Sequence, residues 1–465
     1  MKKLYTIILF VLVGAIANAQ YTKLLDFTGI NGNQPYGSLI SDGTFLYGMT
    51  SRGGINDIGV ILKIMPDGTG YSDMLDFTGS ANGNQPGGSL ISDGVFLYGM
   101  TKDGGANNFG VIFKIKPDGT GYSKLYDFGS AANDGAWPNS SLISDGTFLY
   151  GMTTFGGASI NGTIFKIKSD GTGYSKLYDF GSLANDGNHP RGDLISDGTF
   201  LYGMTQQGGA NGDGIIFKIK SDGTGYTNLF DFAGSLNGKQ PGGSFISDGT
   251  FLYGMTYLGG TNDSGVIFKI KPDGTGYTKL IDFAGSINGS YPDGSLVSDG
   301  TFLYGTTKLG GLNNMGTVFK IKPDGTGYSD MLDFAGSSNG SNPLSNLISD
   351  GAFLYGMTPN GGSNNLGTVF KLGVNTGVTE NNVKNGFTIY PNPFSVQTVL
   401  KTGYLLHNTT LTVFNCFGQT VKQIMNISGE SIIFNRENLP SGLYFVRLGE
   451  ENKIVAIDKL VIVDK

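Results

Sequence analysis

The sequence predicts an all-β protein: a seven-bladed β-propeller followed by a small immunoglobulin-like β-sandwich. Three observations predict it. The phrase Ser-Leu-Ile-Ser-Asp-Gly-Thr-Phe-Leu-Tyr-Gly-Met-Thr, read from Ser38 to Thr50, returns with small edits from Ser89, Ser141, Asp193, Ser244, Ser295 and Asn346, which makes seven copies about 50 residues apart. Each unit holds four strand-like runs and shows no helical period. After Gly373 the repeat stops and a different, strand-rich segment follows. Four antiparallel strands per unit, repeated in tandem, describe propeller blades. An open solenoid is the alternative, but 50 residues is long for one coil.

Composition narrows the class. The 78 glycines have no Gly-X-Y period and sit mostly beside Asp or Asn, which is turn chemistry. Aromatics at 12% supply a core. A net charge of −6 without a basic block argues against nucleic acid as a partner. The single cysteine, Cys416, rules out an intrachain disulfide, and two histidines, His189 and His407, leave little for a His-rich metal site.

At the N-terminus, Lys2 and Lys3 precede an apolar run from Leu4 to about Ile16, then Ala17-Asn18-Ala19. This pattern predicts a signal peptide over 1–19 with cleavage after Ala19, since the run is short for a membrane span. No transmembrane segment is expected after cleavage.

The propeller is expected over 20–373. Its second unit shows the plan: runs at Tyr71 to Phe77, Ser89 to Ser92, Val95 to Thr101 and Gly110 to Lys116. Asp93-Gly94 between the second and third runs is a tight-hairpin signal, because Gly accepts positive φ freely. Longer Asn-Gly-x-x-Pro and Gly-Gly loops make the other connections. The run Phe45-Leu46-Tyr47-Gly48-Met49 is apolar on both faces, so its sheet is covered on both sides. Gly48 then marks a close approach by a neighbouring sheet. Tyr21 to Phe27 precedes any inner strand, whereas the last unit lacks an outer one. A ring resolves both if Tyr21 to Phe27 pairs with Gly367 to Leu372.

On these residues the chain resembles the GloVer tandem repeats. Leu303-Tyr304-Gly305-Thr306-Thr307, Gly310-Gly311 and Gly316-Thr317-Val318-Phe319-Lys320 carry the resemblance, which extends over about 21–373. It implies a propeller-like fold and no established activity.

Residues 374–385 are polar and read as a linker. Over 386–465, about seven short strands suit a small sandwich. Pro391-Asn392-Pro393, Leu411 to Phe414 leading to Gly418 to Val421, Leu439 to Tyr444 and Lys459 to Ile462 resemble the type A C-terminal sorting domain of the type IX secretion system of Bacteroidetes. The resemblance implies the secretion machinery as partner, passage through the outer membrane, and a final place outside the cell or on its surface. The alternative is an immunoglobulin-like binding module. Cys416 reads as a small buried hydrophobe.

Residues present in every unit are poor candidates for a single site. The edge-strand acids (Asp26, Asp76 and their equivalents) and the hairpin acids (Asp42, Asp93 and theirs) are explained as caps of their own turns. Function is expected where units differ, on the face carrying the Asn-Gly-x-x-Pro and Gly-Gly loops. The residues flanking each proline and preceding each Gly-Gly vary most. Tyr36, Trp137, Phe155, His189, Arg191, Asp193, Tyr291 and Asp293 are the candidate ligand-binding residues, with Trp137, Phe155, His189, Arg191 and Asp193 expected together near the central opening. An aromatic platform with nearby hydrogen-bonding groups suits a sugar ring. His189 with Asp193 could do acid–base work. The loops are rich in Asn and Asp but lack the alternating ligand pattern of a Ca²⁺ loop, so neither metal nor other cofactor is expected. A glycosidase needs paired carboxylates about 5 to 10 Å apart. Asp103, Asp193 and Asp293 fall on different units, which favours a non-catalytic glycan- or protein-binding module over a lyase or glycosidase. A purely structural surface protein predicts no ligand at all.

Overall fold

The computed structural model describes residues 21–374, 387–415, 420–450 and 453–464. The expected signal peptide, Cys416 and all of the expected linker but its first residue lie outside the described residues. The chain divides into two compact units, one holding the repeats and one the C-terminal segment. No helix occurs among the described residues.

Turn chemistry sets each sheet. In the first repeat, Ile40–Ser41, Leu46–Thr50, Val60–Ile64 and Ser72–Asp76 lie in that order as a four-stranded antiparallel sheet. The other repeats follow the same order, the fifth adding Lys239–Pro241 beside its second strand. The hairpin between the first two strands is capped by Asp42, whose carboxylate accepts from the Thr44 and Phe45 amides at 2.8 and 2.7 Å and from the Tyr47 hydroxyl at 2.7 Å. Burial pushes this carboxyl up, but the Phe45 amide, the Tyr47 hydroxyl and the Thr44 amide outweigh it and hold its pKa below the usual value. The other six hairpin acids are held down the same way. The edge-strand acids do something else. Asp76 accepts from the Ile55 amide, 21 residues back, and so ties the Gly-Gly loop of its own sheet rather than its own turn.

The apolar core lies between sheets. Tyr47, Met49 and Ile61 of the first repeat pack with Leu97, Val111 and Phe113 of the second, all nearly inaccessible to solvent. Each such side chain contributes roughly 1.5–3 kcal/mol on burial. The strand glycine makes room within its own sheet. A Cβ on Gly99 would lie 2.6 Å from Cζ of Phe113, its cross-strand partner. In the first repeat the partner of Gly48 is Leu62, and there the close neighbours are Leu39 and Met357 of the last repeat.

The N-terminal strand belongs to the last sheet. Tyr21–Asp26 pairs antiparallel with Thr368–Gly373, with Tyr21 opposite Leu372. Phe27, Leu39 and Leu46 then pack with Tyr355, Met357 and Val369, which joins the last repeat to the first.

The C-terminal unit holds five strands among its described residues: Phe387–Tyr390, Gln397–Phe414, Thr420–Asn435, Gly442–Glu450 and Lys453–Ile462. Two of them, of 18 and 16 residues, are far longer than the short strands expected. The reason lies in their pairing, which shifts register between Lys401 and Leu406 and again between Leu406 and Thr409. Such bulges bend a ribbon without ending it. The bend brings Lys422 Nζ to the Asn435 carbonyl at 3.0 Å, 13 residues along the same strand.

Two outcomes follow. Removing residues 21–27 strips the last sheet of its outer strand, so the truncated protein should melt at lower temperature and aggregate; identical melting and elution would refute closure by this strand. The hairpin acids carry folded pKa values below the unfolded value of about 3.9. Their contribution is therefore complete above that pH and lost as pH falls through the folded pKa. The urea midpoint should drop between pH 5 and pH 3, and Asp42→Asn should blunt the drop; a midpoint flat across that range would sink the assignment.

Candidate ligand site at the axial mouth

The loops between sheets meet around an axis, and a closed circuit of hydrogen bonds fixes them. The Ser38 amide donates to Ser89 Oγ at 2.7 Å, Ser89 to Ser141 Oγ at 2.8 Å, and Ser141 to Asp193 Oδ1 at 2.5 Å. Asp193 donates to Ser244 Oγ and Ser244 to Ser295 Oγ, both at 2.6 Å, and Ser295 donates to Asn346 Oδ1 at 2.5 Å. The Asn346 amide returns to Ser38 Oγ at 2.8 Å. Backbones crowd just beside this circuit, where a Cβ on Gly37 would lie 2.1 Å from the Gly88 carbonyl oxygen.

Three residues before each member of this collar stands a proline. The residue after each proline, from Tyr36 through Arg191 and Asp293 to Leu344, lines a cavity of about 310 Å³ at the axis. The residue before each proline is held in the left-handed region: Gln34, Gln85, Trp137, His189, Gln240, Tyr291 and Asn342 have φ between 53° and 58°. For bulky residues this costs on the order of 1–3 kcal/mol and persists only when the surroundings impose it. They do so through one bond. Each N–H donates to a carbonyl of the preceding repeat, as Trp137 does to Phe109 at 3.0 Å and His189 to Asn161 at 2.9 Å.

The candidate residues separate into three groups. Trp137, Phe155 and His189 form a contact chain, with centroids 5.1 Å apart between the first two and 4.6 Å between the last two. Lys102 Nζ stands 5.8 Å from the Trp137 ring and also lines the axial cavity. Beyond Trp137 a second cavity opens, of about 540 Å³, bordered by Phe109, Phe155 and Ile160. Arg191 and Asp293 form the second group. Arg191 Nη2 lies 2.8 Å from Asp293 Oδ2, across Gly242 of the repeat between them. The Asp293 side chain is only 7% exposed, and its Oδ1 has no hydrogen-bond partner. Asp193 lines the axial cavity together with Arg191 and Asp293. It is a link in the collar, and burial raises its pKa against the opposing Ser141 and Ser244 bonds. Tyr36 lies exposed on the cavity rim with its hydroxyl 3.4 Å from Gln34 Oε1.

Tyr291 belongs to an arrangement that the sequence reading missed. It stacks on Tyr257 at 5.3 Å, and Lys308 Nζ reaches the Tyr257 hydroxyl at 3.4 Å. Tyr257 and Lys308 directly follow the last threonine of their strands, one position before the residues singled out ahead of Gly-Gly. Among the described residues, no three His, Cys, Asp or Glu side chains gather as a metal site requires.

The ion pair yields a measurable coupling. Arg191→Met leaves the Asp293 carboxylate buried and unpaired and should cost about 1–3 kcal/mol. Adding Asp293→Asn should restore most of that loss in a double-mutant cycle of urea unfolding. Strictly additive effects would show that the pair does not hold the mouth.

Comparisons with known proteins place the chain. A family described as the Gloeobacter/Verrucomicrobia repeat matches residues 14–204, 92–257 and 200–405. The secretion system C-terminal sorting domain matches 388–463. No curated protein matches. Among solved structures, PorZ, a surface component of the type IX secretion system of Porphyromonas gingivalis, is 15% identical with a TM-score of 0.49. That likeness covers 94% of this chain, which spans 60% of PorZ. An oligogalacturonate lyase solved with manganese is 13% identical with a TM-score of 0.53, over 77% of this chain and 93% of its own. The extracellular domain of a putative one-component system of B. thetaiotaomicron is 13% identical with a TM-score of 0.51, over 96% of this chain and 58% of its own. At such identities the likeness is one of fold, all-β and propeller-like. The sorting domain marks the protein as secreted or displayed at the cell surface, and among the described residues no helix is long and apolar enough to cross a membrane. The chain belongs to the Gloeobacter/Verrucomicrobia repeat family and ends in a secretion system C-terminal sorting domain.

Proposed function

We propose that the repeats close into a seven-bladed β-propeller that binds glycan, without catalysis, at the axial mouth of its loop face. In this reading residues 1–19 are removed as a signal peptide, 20–373 form the propeller, 374–385 link it onward, and 386–465 form a small sandwich that the type IX machinery reads during export. The observation that carries the reading is the Trp137–Phe155–His189 chain, of which Trp137 and Phe155 border the second cavity while Lys102, beside the Trp137 ring, lines the polar axial cavity. Aromatic faces pack against the C–H faces of sugar rings, while Tyr36, Arg191 and neighbouring amides supply groups for hydroxyls.

The enzymatic alternative is weaker. Acid–base hydrolysis needs two available carboxylates across a scissile bond. Asp293 is neutralised by Arg191, and Asp193 is engaged by the Ser141 amide. His189 packs on Phe155.

A glycan array on the purified protein tests the proposal, with Trp137→Ala beside it. Binding that falls about tenfold or more in the variant, while its melting temperature holds, supports an aromatic platform. Binding unchanged by the substitution would move the site. Failure to bind any glycan would defeat the reading in favour of a protein partner or a structural role.

A further inference from the structure

The loop face carries two aromatic pairs, not one. Trp137 sits at the seam between the second and third repeats, its amide bonded to Phe109 of the second. Tyr291 sits at the seam between the fifth and sixth, its amide bonded to Ser264 of the fifth. Both are left-handed residues preceding a proline, with φ of 56° and 58°. Each platform is an aromatic pair: Trp137 with Phe155, and Tyr291 stacked on Tyr257 with an interplanar angle of 30°. Each also has one ammonium over a ring. Lys102 Nζ lies 5.8 Å from the Trp137 centroid, and Lys308 Nζ lies 5.7 Å from that of Tyr257. Neither lysine forms an ion pair among the described residues.

We propose that the loop face binds an acidic linear polysaccharide laid across the axial mouth, with one sugar on the Trp137 platform and a later one on the Tyr257–Tyr291 platform. The proposal rests on the glycan reading above and deepens it. Three steps around a ring of seven repeats put the platforms on opposite sides of the axis, so one sugar cannot reach both. A chain that does reach both passes over the axial cavity, where Arg191 spends one nitrogen on Asp293 and keeps others for its ligand. The matched lysines set the charge class. An ammonium beside an aromatic face is placed to meet a carboxylate or sulfate carried by the ring stacked there.

The two-platform geometry makes affinity depend on length. Once a chain spans both sites, its second contact becomes intramolecular. Trp137 is the only tryptophan in the chain, so quenching of its fluorescence reports occupancy of the first platform directly. Alginate oligomers of graded length are titrated into the protein, alongside carboxyl-reduced neutral counterparts. Affinity should rise with length and then level off, and raised salt should weaken it. Tyr257→Ala should cost about tenfold for long oligomers and leave short ones unaffected. Tyr257→Phe keeps the ring and should bind like the parent, which separates a lost platform from a damaged fold. Lys102→Met with Lys308→Met should erase the preference for the charged series. Short oligomers binding as tightly as long ones, or a silent Tyr257→Ala, would overturn the span and leave single-site glycan binding standing. Equal binding of neutral and acidic series would overturn the charge class. No quenching by any oligomer, together with an empty glycan array, would remove the glycan reading and this inference with it.

Discussion

Everything on the loop face depends on the collar of amide-to-side-chain hydrogen bonds around the axis. Each bond contributes only about 0.5–1.5 kcal/mol, but the circuit fixes geometry more than energy. It sets how closely successive repeats approach where they are most crowded, and this is where Gly37 and Gly88 leave no space for a side chain. The residues that form the collar come just before the innermost strands, which are only two residues long in most repeats. Ser is the usual acceptor. Asp193 and Asn346 occupy the same position, and both still present a side-chain oxygen to the preceding amide. The requirement is for an acceptor of short reach. Asp193, a candidate site residue that lines the axial cavity, meets this requirement too.

The collar also explains how the interior is divided. No single repeat encloses a core; each cluster of buried side chains within the repeats draws on two successive sheets. A repeat unit alone has nothing to fold against, and the first and last units share the problem unless they meet. The pairing of Tyr21–Asp26 with Thr368–Gly373, the cluster that joins Leu39 to Met357, and the bond from Asn346 to Ser38 are three expressions of one closure. The N-terminal strand packs on two clusters, through Tyr21 on that of the sixth and seventh repeats and through Leu24 and Leu25 on that of the seventh and first.

Much of this was legible in the sequence because it is local or periodic. Asp42-Gly43 announces its hairpin within four residues, and the unbroken apolar run from Phe45 to Met49 announces burial on both faces. What was not legible depends on partners far away. The edge-strand Asp76 was assigned to its own turn, whereas its partner is an amide 21 residues earlier. Arg191 and Asp293 were both singled out as unusual, but nothing local pairs residues 102 positions apart. Tyr257 and Lys308 were missed for a geometric reason. Side chains alternate along an extended chain, and the position surveyed before each Gly-Gly is one residue away from the position to which Lys102, Tyr257 and Lys308 belong. Long strands in the C-terminal unit escaped notice because bulges let a strand bend where sequence patterns suggest a break.

The pre-proline positions show how such a scaffold carries variation. A left-handed residue ahead of a proline is strained whatever its side chain, unless it is glycine. Gln, Trp, His, Tyr and Asn all occur there with nearly the same φ, so the side chain does not set the conformation. The backbone does, through an amide that bonds to the preceding repeat and a proline that follows. The strain is therefore supported by contacts common to every repeat, while the side chain is left to vary. A binding surface built this way changes its chemistry one residue at a time without disturbing the ring. Trp137 and Tyr291 place aromatic rings at two of these seven positions with the same backbone conformation as the rest.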